Sequence, residues 1–476
     1  MAATCPETPR DGAASVGGES AAGACPETPR DGVASVGGAA SVDGEPVEGA
    51  CPEAPRDGAT SVRGACPETP RDGATSVGGE LAAAAGRPLR TWLPIALLAR
   101  TTINTSARII YPFLPALARG LGISLPAASR LVVLRLAAGV GAPLLGPLAD
   151  RYGRRRVMVA ALALFTLASL LLAGVGTLAA AAVAFTLYGV AKTLYDPALL
   201  AYVGDEVPYS RRGRAVGLLE LPWSAAWLIG VPASGLLIER FGWRAPWALL
   251  VALGLAGMVL TQVGIPSVSR PAARPGGRQF VASIVATWRG LLRRRSVRVL
   301  LLASMLVTLG IEVPFIVYGA WLETAFGLSL TALGLASTVV GVAEAVAEFG
   351  TAVVTDRLGK RRSVLVGLVG LAASLVALPW LSRLGLGAAL VGVAFMMLSF
   401  EFAVVSLLPL ATELAPEARA SLLSLNMAAF SVSRALGGLV GGWLWHWQSM
   451  ALQTSVGAAC ALVAALLLVW GMTDLK

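Results

Sequence analysis

The stretch "GPLADRYGRRR", residues 146–156, interrupts an apolar run with one aspartate, a glycine and four arginines, and a looser copy, "TDRLGKRR", follows at 355–362. Asp150 and Asp356 stand 206 positions apart, so the spacing predicts a duplicated architecture. The parts of the turn have separate physical tasks. Gly146 allows close helix packing, Asp150 sits where a helix ends, Gly153 permits a tight reversal, and Arg151 and Arg154 to Arg156 hold the turn in water beside a membrane. A plain basic anchor would need the arginines but neither the aspartate nor the glycines.

Around these turns the chain is too apolar for water. Of its 476 residues 56% are hydrophobic and 14% charged, where a soluble domain keeps roughly a quarter charged. Twelve apolar runs fall between 92 and 472, each near the ~20 residues a helix needs to cross hydrocarbon, with no ten-residue alternation of a barrel. An all-α membrane protein with twelve transmembrane helices is predicted. The basic segment 266–298 divides the set into two six-helix bundles, 87–265 and 299–476. Residues 1–86 hold four near-copies of "CPETPRDGAASVGG", rich in Pro, Gly, Ala and Ser, and predict a disordered N-terminal tail.

Charge orients the helices. With the N-terminus inside, the inner segments carry 23 lysines and arginines and the outer ones 5, so both termini are expected to be cytoplasmic and the chain multi-pass in a cell membrane. The same rule, with attraction to anionic headgroups of the lipid bilayer, accounts for the net charge of +10 without a nucleic-acid partner. Four cysteines lie one per tail repeat, Cys460 lies in a late apolar run, and His446 is the single histidine. That inventory offers no metal-ligand spacing and no histidine-dependent hydrolase motif, and no GxxxxGK[ST] phosphate loop occurs. No cofactor, no metal and no enzymatic activity are expected, and the chain is expected to act as a monomer.

Ionisable residues inside a membrane are costly and default to functional candidates. They occupy eight of the twelve helices: Arg100 and Arg108 in the first, Arg135 in the second, Lys192 and Asp196 in the fourth, Glu220 in the fifth, Glu312 in the seventh, Glu344 and Glu348 in the eighth, Glu401 in the tenth and Arg434 in the eleventh. The third, sixth, ninth and twelfth have none. The first half is net basic here and the second net acidic, which fits either a cavity with walls of opposite sign or ion pairs across the bundle interface. Arg108, Tyr111, Lys192, Asp196, Glu312, Tyr318 and Arg434 are the candidates for contact with a small-molecule substrate. Glu220, Glu312, Glu344, Glu348 and Glu401 are the candidates for carrying protons, since desolvation favours the neutral form of a carboxyl group. Glu220 is expected to answer Arg108 or Lys192, and Arg434 to neutralise Glu401. Prolines gather on the same helices, at 112, 115, 197, 222, 232, 314 and 409, where each removes a backbone bond beside a possible site.

"GPLADRYGRRR" is similar to the cytoplasmic signature of the major facilitator superfamily, of the form G-x-L-A-D-r-x-G-r-r, between its second and third helices. The resemblance covers 87–476, and in the second copy Ala352 replaces the glycine. It implies a secondary transporter whose halves rock about a central site while the third, sixth, ninth and twelfth helices face lipid. Gly146, Asp150, Arg151, Gly153 and Arg154, with Asp356, Arg357 and Gly359, would form the latch that closes the cytoplasmic side. "GVPASG" at 230–235 looks like a degraded form of the glycine-rich run in helix five of the family's drug exporters, which implies proton-coupled efflux. Phe185 stands where those exporters carry an arginine, a departure that also leaves room for uptake or for a non-transporting sensor.

Overall fold

The computed structural model describes residues 89–207, 209–267 and 277–471; the tail at 1–86 lies outside the described residues. The described residues are nearly all helical. Among the described residues ten helices are long and apolar enough to cross a membrane, two fewer than predicted. The difference lies in the first two spans, which are present but broken and charged. Span 1 is Leu89–Arg108 followed by Ile110–Leu121, and span 2 is Leu125–Ala137 followed by Ala142–Tyr152. Their outer parts, Ile110–Leu121 and Leu125–Gly141, pass the test only together, as a pair bent by 119°.

The remaining spans follow in order. Span 3 is Arg154–Gly174, span 4 Leu178–Glu206, span 5 Tyr209–Ala225 continued by Val231–Phe241, and span 6 Ala245–Gly264. In the second half, span 7 is Arg295–Phe315 with Tyr318–Phe326, span 8 is Leu330–Ala336 with Thr338–Leu358, and span 9 is Lys360–Leu381. Spans 10, 11 and 12 are Leu386–Leu414, Arg419–Leu444 and Met450–Gly471. The predicted polar linker contains a helix of its own, Gly277–Arg293.

The two charged turns explain themselves as repeated devices. Gly153 and Gly359 have φ of 90° and 85°, both with ψ of 140°, a region that side chains with a Cβ rarely enter. After each glycine the first basic residue reaches an acid at the end of the next helix hairpin. Arg154 bonds Asp150 and, at 3.2 Å, Asp205, while Lys360 bonds Glu413. The second basic residue caps a helix end, where backbone carbonyls lack partners. Arg155 donates to the carbonyls of Gln262 and Ile265 at 3.3 and 3.4 Å, and Arg361 to those of Leu468 and Val469 at 3.1 and 2.9 Å. Arg155 and Arg361 are again 206 positions apart.

Spans 1, 2 and 5 of the first half pack against spans 7, 11 and 8 of the second. Spans 3, 6, 9 and 12 stay outside this seam. They present apolar side chains outward, such as Leu170, Val259, Val369 and Leu466, each about half exposed. The separation follows from the charge pattern: helices without interior charge are the ones lipid solvates without cost.

Candidate functional site

The seam spans are broken at mid-depth. Span 1 interrupts at Ile109, and Phe113 beyond it has a non-helical φ of −106° and ψ of 16°. Span 7 interrupts at Ile316 and Val317, the latter with φ of −106° and ψ of 3°. Prolines supply the cause, since Pro112 and Pro314 each lack the N–H that would bond four residues back. Span 5 carries a π-helical turn, Ala226–Gly230, between Pro222 and Pro232. Irregular backbone at membrane depth is tolerated where it faces protein or water.

These breaks assemble charge from both halves. Arg108 of span 1 donates to Glu344 of span 8, 2.8 and 3.0 Å from its two oxygens, with both side chains less than a tenth exposed. The indole N–H of Trp227, in span 5, donates to the same carboxylate at 3.1 Å. The Arg108 guanidinium lies over the rings of Trp223 and Trp227, 4.7 and 5.1 Å from their centroids. Beside it, Tyr111 donates to Glu312 Oε1 at 2.8 Å, and Arg434 Nε donates to Glu312 Oε2 at 2.8 Å. Arg434 Nη2 also donates to the Tyr111 hydroxyl at 2.8 Å, closing a three-member ring from spans 1, 7 and 11.

A second cluster belongs to the first half alone. Lys192 donates to Asp196 at 2.8 Å and to Asn104 at 2.7 Å, and lies 4.3 Å over the Trp223 ring. Arg100 reaches Asp196 at 3.4 Å, Glu220 at 3.2 Å and the carbonyl of Leu219. Trp223 is half-buried and stands between the clusters, with cations from spans 1 and 4 on its ring. Cation–π contact of this kind gains strength where water is scarce.

Several predicted pairings change partner. Glu220 binds Arg100 rather than Arg108 or Lys192. Arg434 neutralises Glu312 rather than Glu401. Tyr318 is buried, stacked on Phe315 with centroids 5.5 Å apart and 3.3 Å from the Ser337 hydroxyl, so it acts as packing behind the ring of Tyr111. Glu348 and Glu401 are half-buried and take part in no ion pair among the described residues. The Asp356 side chain lies outside the described residues, and Arg357 is exposed. Trp223, Trp227 and Asn104 were not among the predicted site residues.

The cluster is sealed on one side. Every cross-half hydrogen bond or ion pair among the described residues lies at the level of Arg108 or farther from the charged turns. Beyond the central ones, Arg119 pairs with Glu323 at 2.8 Å, and the Glu239 carboxylate accepts from the Thr331 N–H at 2.6 Å. Within the two clusters Glu220, Arg434 and Lys192 keep side-chain solvent access of 41%, 27% and 25%.

Two halves of repeated design, meeting along broken helices around buried charge, define the fold of a multi-pass membrane transporter. The profile of the Major Facilitator Superfamily matches residues 96–318 and 300–474. The chain belongs to that superfamily. It is 26% identical over 362 residues to the uncharacterized MFS-type transporter YceJ of Bacillus subtilis (strain 168), covering 75% of this chain and 89% of that one. It is 24% identical over 385 residues to the MFS-type transporter YbcL of the same organism, covering 79% and 94%. Among solved structures, a D-xylose–proton symporter superposes with a TM-score of 0.66 at 18% identity, over 80% of this chain and 98% of that one. A peptide transporter crystallised with sulfate gives 0.68 at 15% identity, over 82% and 97%.

Proposed function

We propose that the protein is a secondary active transporter that moves a small organic solute across the cell membrane by alternating access, with proton-coupled efflux as its working direction. The observation that carries this reading is the charged cluster between the halves, whose cross-half bonds among the described residues all lie at its level or farther from the charged turns; we read it as reached by water from the side of those turns. In the orientation that places Lys and Arg inside, this is the state that loads from the cytoplasm. Arg108, Lys192, Trp223 and Arg434 line the path on which a solute would dock. Glu348 and Glu401, on the wall of the second half and without counter-ions among the described residues, carry the protons. Glu344 and Glu312, held by Arg108 and Arg434, exchange partners as the halves rock. The latch role of Asp150 and Arg154 belongs to the opposite state, in which the turn end closes. Efflux is supported by the glycine-rich run at 230–235.

The test is a growth-inhibition panel of toxic small molecules in an efflux-deficient bacterium expressing the wild type, Glu401→Gln or Asp150→Asn. Protection by the wild type that either variant abolishes at equal membrane abundance is the expected result. Sensitisation, or no protection against any compound, turns the reading to uptake, which accumulation of labelled metabolites then measures.

A further inference from the structure

Five basic side chains sit at depth in the charged inner spans, and four have an acid within ion-pair distance: Arg100, Arg108, Lys192 and Arg434. Arg135 of span 2 has none among the described residues, and its Nε is buried without a hydrogen-bond partner. The groups that act on it electrostatically include Tyr111, Arg434, Glu312 and Arg108, and the carboxylate among them is already held by Arg434 and Tyr111.

The seam between spans 2 and 11 puts Arg135 and Arg434 at one level. Gly442 abuts Ser129, Gly438 lies against Val133, and Gly139 abuts Ser431. Residue numbers fall on span 11 by as much as they rise on span 2, an antiparallel register that sets Arg135 opposite positions 435 and 436, beside Arg434. Two guanidinium groups from opposite halves therefore share one level of the cleft, and between them only one carboxylate is bonded. Arg135 is partly exposed, with its Nε buried and without a bond, and two neighbouring cations in a cleft of reduced dielectric attract an anion that both can reach.

We propose that Arg135 and Arg434 form a subsite for an anionic group, a carboxylate, sulfonate or phosphonate, so that the solute handled by this protein is an organic anion. The inference rests on the transport reading for its physiological meaning, while the subsite itself binds whether or not the anion is moved. Arginine suits the task because its planar fork offers paired donors to such groups, and the halves supply one fork each. A ligand seated there bridges spans 2 and 11, and half-buried Trp223 is available to any ring attached to the anion.

The test uses the full-length protein purified in detergent, with benzoate, benzenesulfonate and phenylphosphonate as anionic probes against benzylamine and benzyl alcohol, at matched ionic strength. Melting temperature and tryptophan fluorescence are read at rising millimolar probe. The expected result is a rise in melting temperature with at least one anion and with neither control. Arg135→Gln should weaken that binding by about tenfold or more, the scale of one lost charge-assisted bond, and Arg135→Lys should retain part of it. No anion-specific rise in the wild type, or a rise that Arg135→Gln keeps in full, overturns the subsite. If the anions bind through Arg135 but are never carried into proteoliposomes under a proton gradient of either sign, the subsite stands and the transport reading falls.

Discussion

Replacing Gly235 by valine tests whether the sealed end is held shut by backbone contact. At this position in span 5 a Cβ would lie 2.5 Å from the Leu330 carbonyl oxygen, at the start of span 8, and 3.1 Å from Phe113 Cζ in span 1. A carbon and an oxygen need more than 3 Å, so spans 5 and 8 must part by several tenths of an ångström. The atom in the way is backbone and has no rotamer to change. Overpacking of this kind costs about 1–3 kcal/mol. The cost falls on the state in which the ends meet, because a half that has swung away leaves position 235 unobstructed. The equilibrium should therefore move toward the state open at that end by about 5–150-fold. Pulsed electron spin resonance between labels at Arg240→Cys and Ala325→Cys, exposed sites on opposite halves, in a background without the native cysteines, reads the distance directly. A longer-distance population that grows with Gly235→Val is expected. An unchanged distribution in a folded variant would refute the assignment of this crossing as the seal.

Two further variants probe the charges that hold the helices. Glu344→Gln leaves Arg108 buried with its carboxylate gone, and removing one partner of such a pair costs about 3–5 kcal/mol; a lower melting temperature is expected, with partial recovery when Arg108→Gln is added. Arg155→Gln and Arg361→Gln each strip two bonds from a helix end, and at about 1 kcal/mol apiece they should speed amide hydrogen exchange in the last turns of spans 6 and 12 respectively. Equal exchange at both ends in both variants would show that the two arginines do not act as separate caps.

What could be read from the sequence was what short-range physics decides. The charged turns are legible because Gly153 and Gly359 impose the same left-handed reversal wherever the rest of the chain goes, and the basic residues after them meet groups at a fixed offset from it. The inner helices are legible because charge at membrane depth needs protein or water around it, which sorts spans 1, 2, 4, 5, 7, 8, 10 and 11 from the outer four. Pair identity was not legible. Glu220 chose Arg100, and Arg434 chose Glu312, because side-chain reach across a broken helix depends on where Ile109 and Val317 leave the backbone, which no spacing rule supplies. The tryptophans show a signal that was available and unused. In "LPWSAAW", 221–227, Trp223 and Trp227 stand four residues apart, on one face of a helix and far from either span end, where interfacial tryptophans collect.

The two orders of interaction also bear on mechanism. Bonds at the charged turns and the helix caps join residues within one half and travel with it. Bonds that needed the structure, Arg108 with Glu344, the ring of Tyr111, Glu312 and Arg434, and Glu239 with the Thr331 N–H, join the two halves and must break if they move apart. A half that rocks as a rigid body requires this division, since the second set is lost when the halves separate at the sealed end while the first can persist. The conformational equilibrium therefore depends on these cross-half bonds, and Arg135, which has no ion-pair partner among the described residues, stands at the level of one of them.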